Sequence, residues 1–320
     1  MSKQLLLRQP DRFFGRVMSF ILLFSITALG VSCTATSSNN PAQSTATATN
    51  NSEVTQALSV VVIPARSSEQ QEQKLQSLAT YLQQIVKRPV NIQLAKNYET
   101  AVDLLVTEKV EMAYLGALTY IQAHDRNPNI KPLVLPIEQI TGRPWYTSVI
   151  IANSERGINS FQDLKGKRFA FVSPSSTSGF LMPMNALMQQ GIDPTQDFTR
   201  IRYSGSHDKA EADLAAGAVD AIATEKAIFV QSQKKGKLKS ANYKMIWESE
   251  PIPTTPIVIN TKKFSPEVIT QLQRALIDAP EGMVDVNGSN SYGYTLAKNT
   301  DFEQIRQIYT RLKSVVVAAK

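Results

Sequence analysis

Between residues 59 and 317 the chain alternates short β-branched runs with segments of helical apolar spacing, and no other feature restricts the fold as strongly. Ser59-Val-Val-Val-Ile63, closed by Pro64, has the continuous apolar character of a strand covered on both faces. Leu75, Leu78, Ala79, Leu82, Ile85 and Val86 then recur at helical spacing over residues 69–86. The pattern predicts strands over 90–94, 110–115, 145–152, 168–172, 198–203, 219–223, 245–247 and 257–259. It predicts helices over 98–106, 117–124, 180–190, 209–216, 226–234, 266–278 and 301–317. Such alternation implies α/β layers with mainly parallel pairing.

No repeat of fixed period is present, and the Pro-rich Pro251-Ile-Pro253-Thr-Thr-Pro256 suits a stiff crossing segment. We therefore expect two α/β lobes with a central ligand cleft, the chain crossing near Trp145–Ala152 and returning near Pro251–Pro256. Residues 54–147 with 255–320 are assigned to lobe 1, and residues 148–254 to lobe 2. Ligands of such sheets sit at the carboxyl ends of strands, beside helix N-termini.

The first 53 residues follow other rules. Arg8, Arg12 and Arg16 precede an uncharged apolar run, residues 17–32, which is short for a bilayer span. That is the pattern of a signal peptide over residues 1–32. Leu29-Gly-Val-Ser-Cys33 resembles a bacterial lipobox, in which Cys33 is acylated; Gly30 departs from the usual apolar residue there. Residues 33–53 then form a lipidated Cys and a polar tether with too little apolar surface to offset the entropy of ordering it. The expected location is the periplasmic or extracytoplasmic face of a membrane.

Of the net charge of +7, the leader supplies +3 (four basic residues against Asp11), leaving +4 spread over the rest. That suits an anionic ligand and does not suggest nucleic acid. With one cysteine and two histidines, no intrachain disulfide and no metal site are expected. No cofactor is implied, and a monomer is expected.

The chemistry concentrates in Ser173-Pro-Ser-Ser-Thr-Ser-Gly-Phe180, between a predicted strand and a predicted helix. Helix N-termini leave N–H groups without intrahelical partners and carry a partial positive charge. A row of hydroxyls there makes an oxyanion cradle without lysine. Ordinary N-capping would need one such residue. Ser176, His207 and Glu225 also contain the residue types of a hydrolase triad, although no Gly-x-Ser-x-Gly elbow is present. An extracytoplasmic serine hydrolase or phosphatase, and a ligand-presenting sensor, are therefore alternative functions.

Pro174-Ser-Ser-Thr-Ser-Gly-Phe-Leu181 resembles the Ser-Thr-Ser-Gly segment of the phosphonate/phosphite/phosphate-binding (PhnD-like) family of ABC-transporter solute-binding proteins. Residues 110–120, Ser204-Gly-Ser-His-Asp208, residues 247–253 and residues 291–312 resemble further family segments in the same order. The resemblance implies a type II periplasmic-binding-protein fold, no catalysis, and partnership with a membrane ABC permease. It implies a phosphoryl group gripped by Ser176, Thr177 and Ser178, with His207 assisting and Tyr98 reaching in from lobe 1. Tyr114, Leu115, Gly116 and Thr119 fall in its aromatic–Gly–hydroxyl segment. In relatives that bind aminoalkylphosphonates, a carboxylate of the second crossing pairs with the ligand ammonium. Thr254-Thr255 stands there, so Thr255 argues for a small phosphorus oxyanion without an amine. Glu225, beside a bound anion, would require that one partner carry a proton. It would thereby favour phosphite, hydrogen phosphate or a phosphonate over sulfate.

Overall fold

The computed structural model describes residues 56–66, 68–280 and 291–320, all within one compact unit, Glu53–Lys320. The expected signal peptide, Cys33 and the tether lie outside the described residues. Two mixed sheets carry the architecture. In the first, the strands run in the order Ser291–Leu296, Ile130–Glu138, Ile257–Asn260, Met112–Tyr114, Leu58–Val62, Val90–Leu94. In the second the order is Tyr243–Glu248, Ser148–Asn153, Ala221–Glu225, Arg168–Phe171, Arg200–Tyr203. The first sheet thus draws on both ends of the described chain and the second on its middle.

Pairing is less parallel than the sequence pattern suggests. Leu58–Val62 runs parallel to its two neighbours, as does Arg168–Phe171. The other described pairs are antiparallel. The difference arises at the crossings. Chain returning from one sheet enters the other against the direction of its neighbours, as Ile257–Asn260 does beside Met112–Tyr114.

Two boundaries shift. The expected single strand over 145–152 divides at Thr147. Trp145–Tyr146 pairs with Ile252–Pro253 in a two-stranded ribbon, whereas Ser148–Asn153 joins the second sheet. The expected helix over 301–317 is three pieces, a 3₁₀ turn Asn299–Phe302 and helices Glu303–Arg311 and Lys313–Ala318. A strand absent from the sequence reading, Ile130–Glu138, contains Pro132 and Pro136, which lack the N–H that a central strand needs. It is tolerated because its neighbours are staggered. Pro132 faces only Ile257–Asn260 and Pro136 only Ser291–Leu296.

The first sheet is buried on both faces, with alternate residues pointing opposite ways. Val60, Val62, Met112 and Tyr114 pack on one side with Leu75, Leu78 and Leu82 of helix Ser68–Val86 and with Leu272 and Leu276 of helix Pro266–Ile277. Val61, Ala113 and Leu115 pack on the other with helices Tyr98–Val106 and Ala117–Arg126. That second core continues through Phe169, Phe171 and Phe180 into the other sheet. No helix among the described residues is long and apolar enough to cross a membrane.

Candidate functional site

The hydroxyl-rich segment leaves strand Arg168–Phe171 and folds back on it. Val172 N donates to Gly179 O at 2.9 Å. A Cβ on Gly179 would lie 2.4 Å from Val172 Cβ, so only glycine permits this approach. The helix expected from residue 180 begins instead as a π-turn, Thr177–Leu181, and becomes an α-helix at Met182–Gln189. The wider turn is seen where Leu181 N reaches Ser176 O. Insertions of this kind recur at functional sites because they displace side chains from the regular helical face.

All but one of the hydroxyls of this segment have a defined partner. Ser176 Oγ accepts from Gly179 N at 3.0 Å and also meets the Tyr98 hydroxyl. Thr177 Oγ1 accepts from Leu118 N at 2.9 Å, across to the first sheet. Ser178 Oγ accepts from the Tyr146 hydroxyl at 3.3 Å, and Ser178 O accepts from Ser148 Oγ at 2.6 Å. Ser173 Oγ donates to Glu99 Oε1 at 3.3 Å. Ser175 Oγ is buried with no protein partner among the described residues.

His207 is the first residue of helix His207–Ala215, capped by Ser206. Its N–H donates to Ala65 O, and its Nδ1 lies 3.0 Å from Thr224 Oγ1. Burial, then the charge of Arg66, lowers its pKa to about 3, so the ring is neutral at physiological pH. Arg66 comes from the first sheet's side and donates to Asp208 and Gln231 of the second. Burial, reinforced by Glu225 and Glu99, raises the pKa of Tyr98 far above a tyrosine's usual value, so the phenol keeps its proton. Glu225 ends strand Ala221–Glu225 opposite Ser148, buried at the start of helix Lys226–Lys234.

On the first sheet, Gly116 begins helix Ala117–Arg126 without a side-chain cap of its own. A Cβ placed there would lie 3.4 Å from Thr177 Oγ1 and 3.6 Å from Thr119 Oγ1. Thr119 Oγ1 donates to Gly116 O. Leu115 N donates to Pro256 O, which sets this turn beside buried Thr255. Thr254 Oγ1 is occupied by Pro136 O at 2.7 Å.

Ser176, Thr177, Ser178, His207, Tyr98, Leu115, Gly116, Thr119, Glu225 and Thr255 thus lie along facing edges of the two sheets. Tyr114 is the exception. As the neighbour of Leu115 in an extended strand it points to the opposite face, among Val62, Met112 and Ile257. The triad types do not form a relay, since Ser176 Oγ is engaged by Gly179 and the Nδ1 position of a triad carboxylate is taken by Thr224. Tyr146, Ser148 and Thr224 are partners the sequence reading missed. The only signal for Thr224 was a hydroxyl inside an apolar strand. A cavity of about 440 Å³ lies beside the cluster, lined by Arg66, Tyr98, Glu99, Ser173, Ser206 and Lys209 among others; of the cluster itself only Tyr98 lines it. Among the described residues no group of three or more His, Cys, Asp or Glu is placed to hold a metal.

A sequence profile of ABC-transporter phosphonate periplasmic substrate-binding proteins matches residues 60–304. The chain belongs to this family. It is 29% identical over 224 residues to the phosphate-import protein PhnD of Mycolicibacterium smegmatis, covering 68% of this chain and 70% of that one. It is 31% identical over 159 residues to a probable ABC transporter phosphite binding protein, PhnD1, of Prochlorococcus marinus, covering 47% and 52%. The crystal structure of P. marinus PhnD1 in complex with methylphosphonate superposes with a TM-score of 0.72 at 23% identity, over 80% of this chain and 98% of that one. The fold is therefore that of a two-lobe periplasmic binding protein. Membership makes the chain the extracytoplasmic, substrate-binding partner of a membrane permease.

Proposed function

We propose that this binding protein captures a small phosphorus oxyanion without an amine (phosphite, methylphosphonate or phosphate) by closing its two lobes around it. The closed form then delivers the ligand to an ABC permease, with the chain tethered to the membrane through Cys33. The observation that carries the reading is the π-turn at Thr177–Leu181. It holds Thr177 Oγ1 against Leu118 N at the start of helix Ala117–Arg126, while the loop that leads into helix His207–Ala215 is tied to the base of the same segment by Gly205 N donating to Val172 O. Neutral O–H and N–H donors at helix N-termini hold an anion by charge-assisted hydrogen bonds of about 1.5–3 kcal/mol each. Release stays possible because no lysine or arginine need be displaced. The names of the relatives, a phosphate importer and a phosphite binder, and the methylphosphonate held by the structural neighbour support the same ligand class.

Two features favour a protonated ligand without an amine. Glu225 lies buried at the same edge, and a carboxylate there accepts a hydrogen bond from P–OH but repels an unprotonated oxyanion. Thr254 and Thr255 supply no charge to pair with an ammonium. The test is isothermal titration of the purified protein, stripped of endogenous ligand, with phosphite, methylphosphonate, phosphate, 2-aminoethylphosphonate and sulfate. Micromolar or tighter binding of one of the first three, with 2-aminoethylphosphonate and sulfate much weaker, is the expected result. Silence across the panel from folded protein would refute the reading.

A further inference from the structure

We infer that Thr224 is a positioning residue that holds His207 in the tautomer protonated on Nε2, so that the ring offers the cleft a fixed N–H donor. The inference rests on the oxyanion reading above. A neutral imidazole carries one N–H and one acceptor nitrogen, and the partner of one nitrogen decides the state of the other. His207 Nδ1 lies 3.0 Å from Thr224 Oγ1. Thr224 is fully buried, and this contact is the only side-chain hydrogen bond it forms among the described residues.

Two arrangements are chemically possible. If Nδ1–H donated, the Thr224 hydroxyl proton would point into the core with no acceptor. Buried donors without partners are rare because their desolvation is uncompensated. If Thr224 O–H donates, its proton is used and the ring must carry its own on Nε2. That nitrogen has no protein partner among the described residues, which leaves it for a ligand. The charged groups that act on the ring, Arg66 and Asp208, do not reverse the choice, because the low basicity of the buried ring keeps it neutral. Threonine in this strand thus selects the ring's role. An Nε2 donor attracts a phosphoryl oxygen, whereas an Nε2 lone pair would repel it.

The chain supplies its own reference. His124, the other histidine, has Nδ1 2.8 Å from Ile130 O, and a carbonyl only accepts, so its proton sits on Nδ1. Long-range ¹H–¹⁵N correlation spectra of ligand-free, histidine-labelled protein should show the two rings in opposite tautomers. Thr224→Val should move His207 away from the Nε2–H form. It should also weaken binding of phosphite, phosphate or methylphosphonate about tenfold, and Thr224→Ser should restore both readouts. His207 protonated on Nδ1 in the wild type would overturn the inference. So would a Thr224→Val variant with tautomer and affinity unchanged. The spectra need no ligand, so the two levels separate. A silent titration of the wild type overturns the oxyanion reading and with it the donor role. A wrong tautomer in protein that binds phosphite overturns only the part given to Thr224.

Discussion

Two helices of the first sheet aim their N-termini at the cleft, and they are capped in opposite ways. Helix Tyr98–Val106 carries its own cap, since Asn97 Oδ1 accepts from Thr100 N at 2.8 Å. Helix Ala117–Arg126 begins at Gly116, which has no side chain, and the oxygen that meets Leu118 N is Thr177 Oγ1 from the other sheet. The first N-terminus is finished by its own strand–helix turn. The second is finished only when the two halves meet. Capping of this kind contributes about 0.5–2 kcal/mol. For Tyr98–Val106 that energy stays within one half, and for Ala117–Arg126 it spans the two, so that in the proposed closure it would accompany the approach of one lobe to the other.

At a third N-terminus, His207 starts a helix that Ser206 caps locally. Its pKa is depressed to about 3 from 6.5, so the folded state favours the neutral ring. The associated stability is complete above about pH 6.5 and is lost as pH falls through that value toward 3. At about 1.4 kcal/mol per pH unit the loss is on the order of 3–5 kcal/mol. Urea denaturation between pH 7 and pH 4 should show it, and His207→Asn should flatten that part of the profile. An unchanged profile would mean that the ring is not buried as described.

Thr177→Val comes next. It removes a hydroxyl that can grip the ligand and cap the opposite helix, so affinity should fall by about 30- to 100-fold, or 2–3 kcal/mol. Denaturation of the ligand-free protein should move by less than about 0.5 kcal/mol. Equal losses of affinity and of ligand-free stability would break the distinction drawn between the two caps. Gly179→Ala forces a methyl against Val172 and should cost about 1–3 kcal/mol of stability through overpacking, read as a lowered Tm. Asn97→Ala is the smallest. It should cost about 1 kcal/mol in denaturation and leave ligand affinity within twofold.

Much of the lower-level structure was legible because it is written in local chemistry. The strand at 58–62, helix Tyr98–Val106 and the turn of residues 173–179 all announce themselves through apolar period or through a run of hydroxyls. The topology was not, because direction within a sheet depends on where the chain crosses, and crossings leave no periodic mark. Ile130–Glu138 was hidden by its prolines, whose tolerance depends on the stagger of two strands over a hundred residues away. Tyr114 and Leu115 show the limit most clearly. They are adjacent in the same family segment, and only the pleat of the strand sends one toward the cleft edge and the other to the far core. The partners of the site residues, Tyr146, Ser148 and Thr224, are likewise fixed by strand pairing and not by any motif.

The ribbon of Trp145–Tyr146 with Ile252–Pro253 bears on mechanics. These are the two connections between the sheets, and they are hydrogen-bonded to each other, not laid separately across the gap. Prolines at 144, 251, 253 and 256 stiffen both. Two separate tethers would let the halves slide, shear and tumble. Two tethers sewn into one strip leave a single axis of swing, as two leaves share one pin. In the closure proposed above, a site for a small oxyanion would tolerate little lateral error, and a common axis would return the same hydroxyls to the same backbone N–H on every stroke.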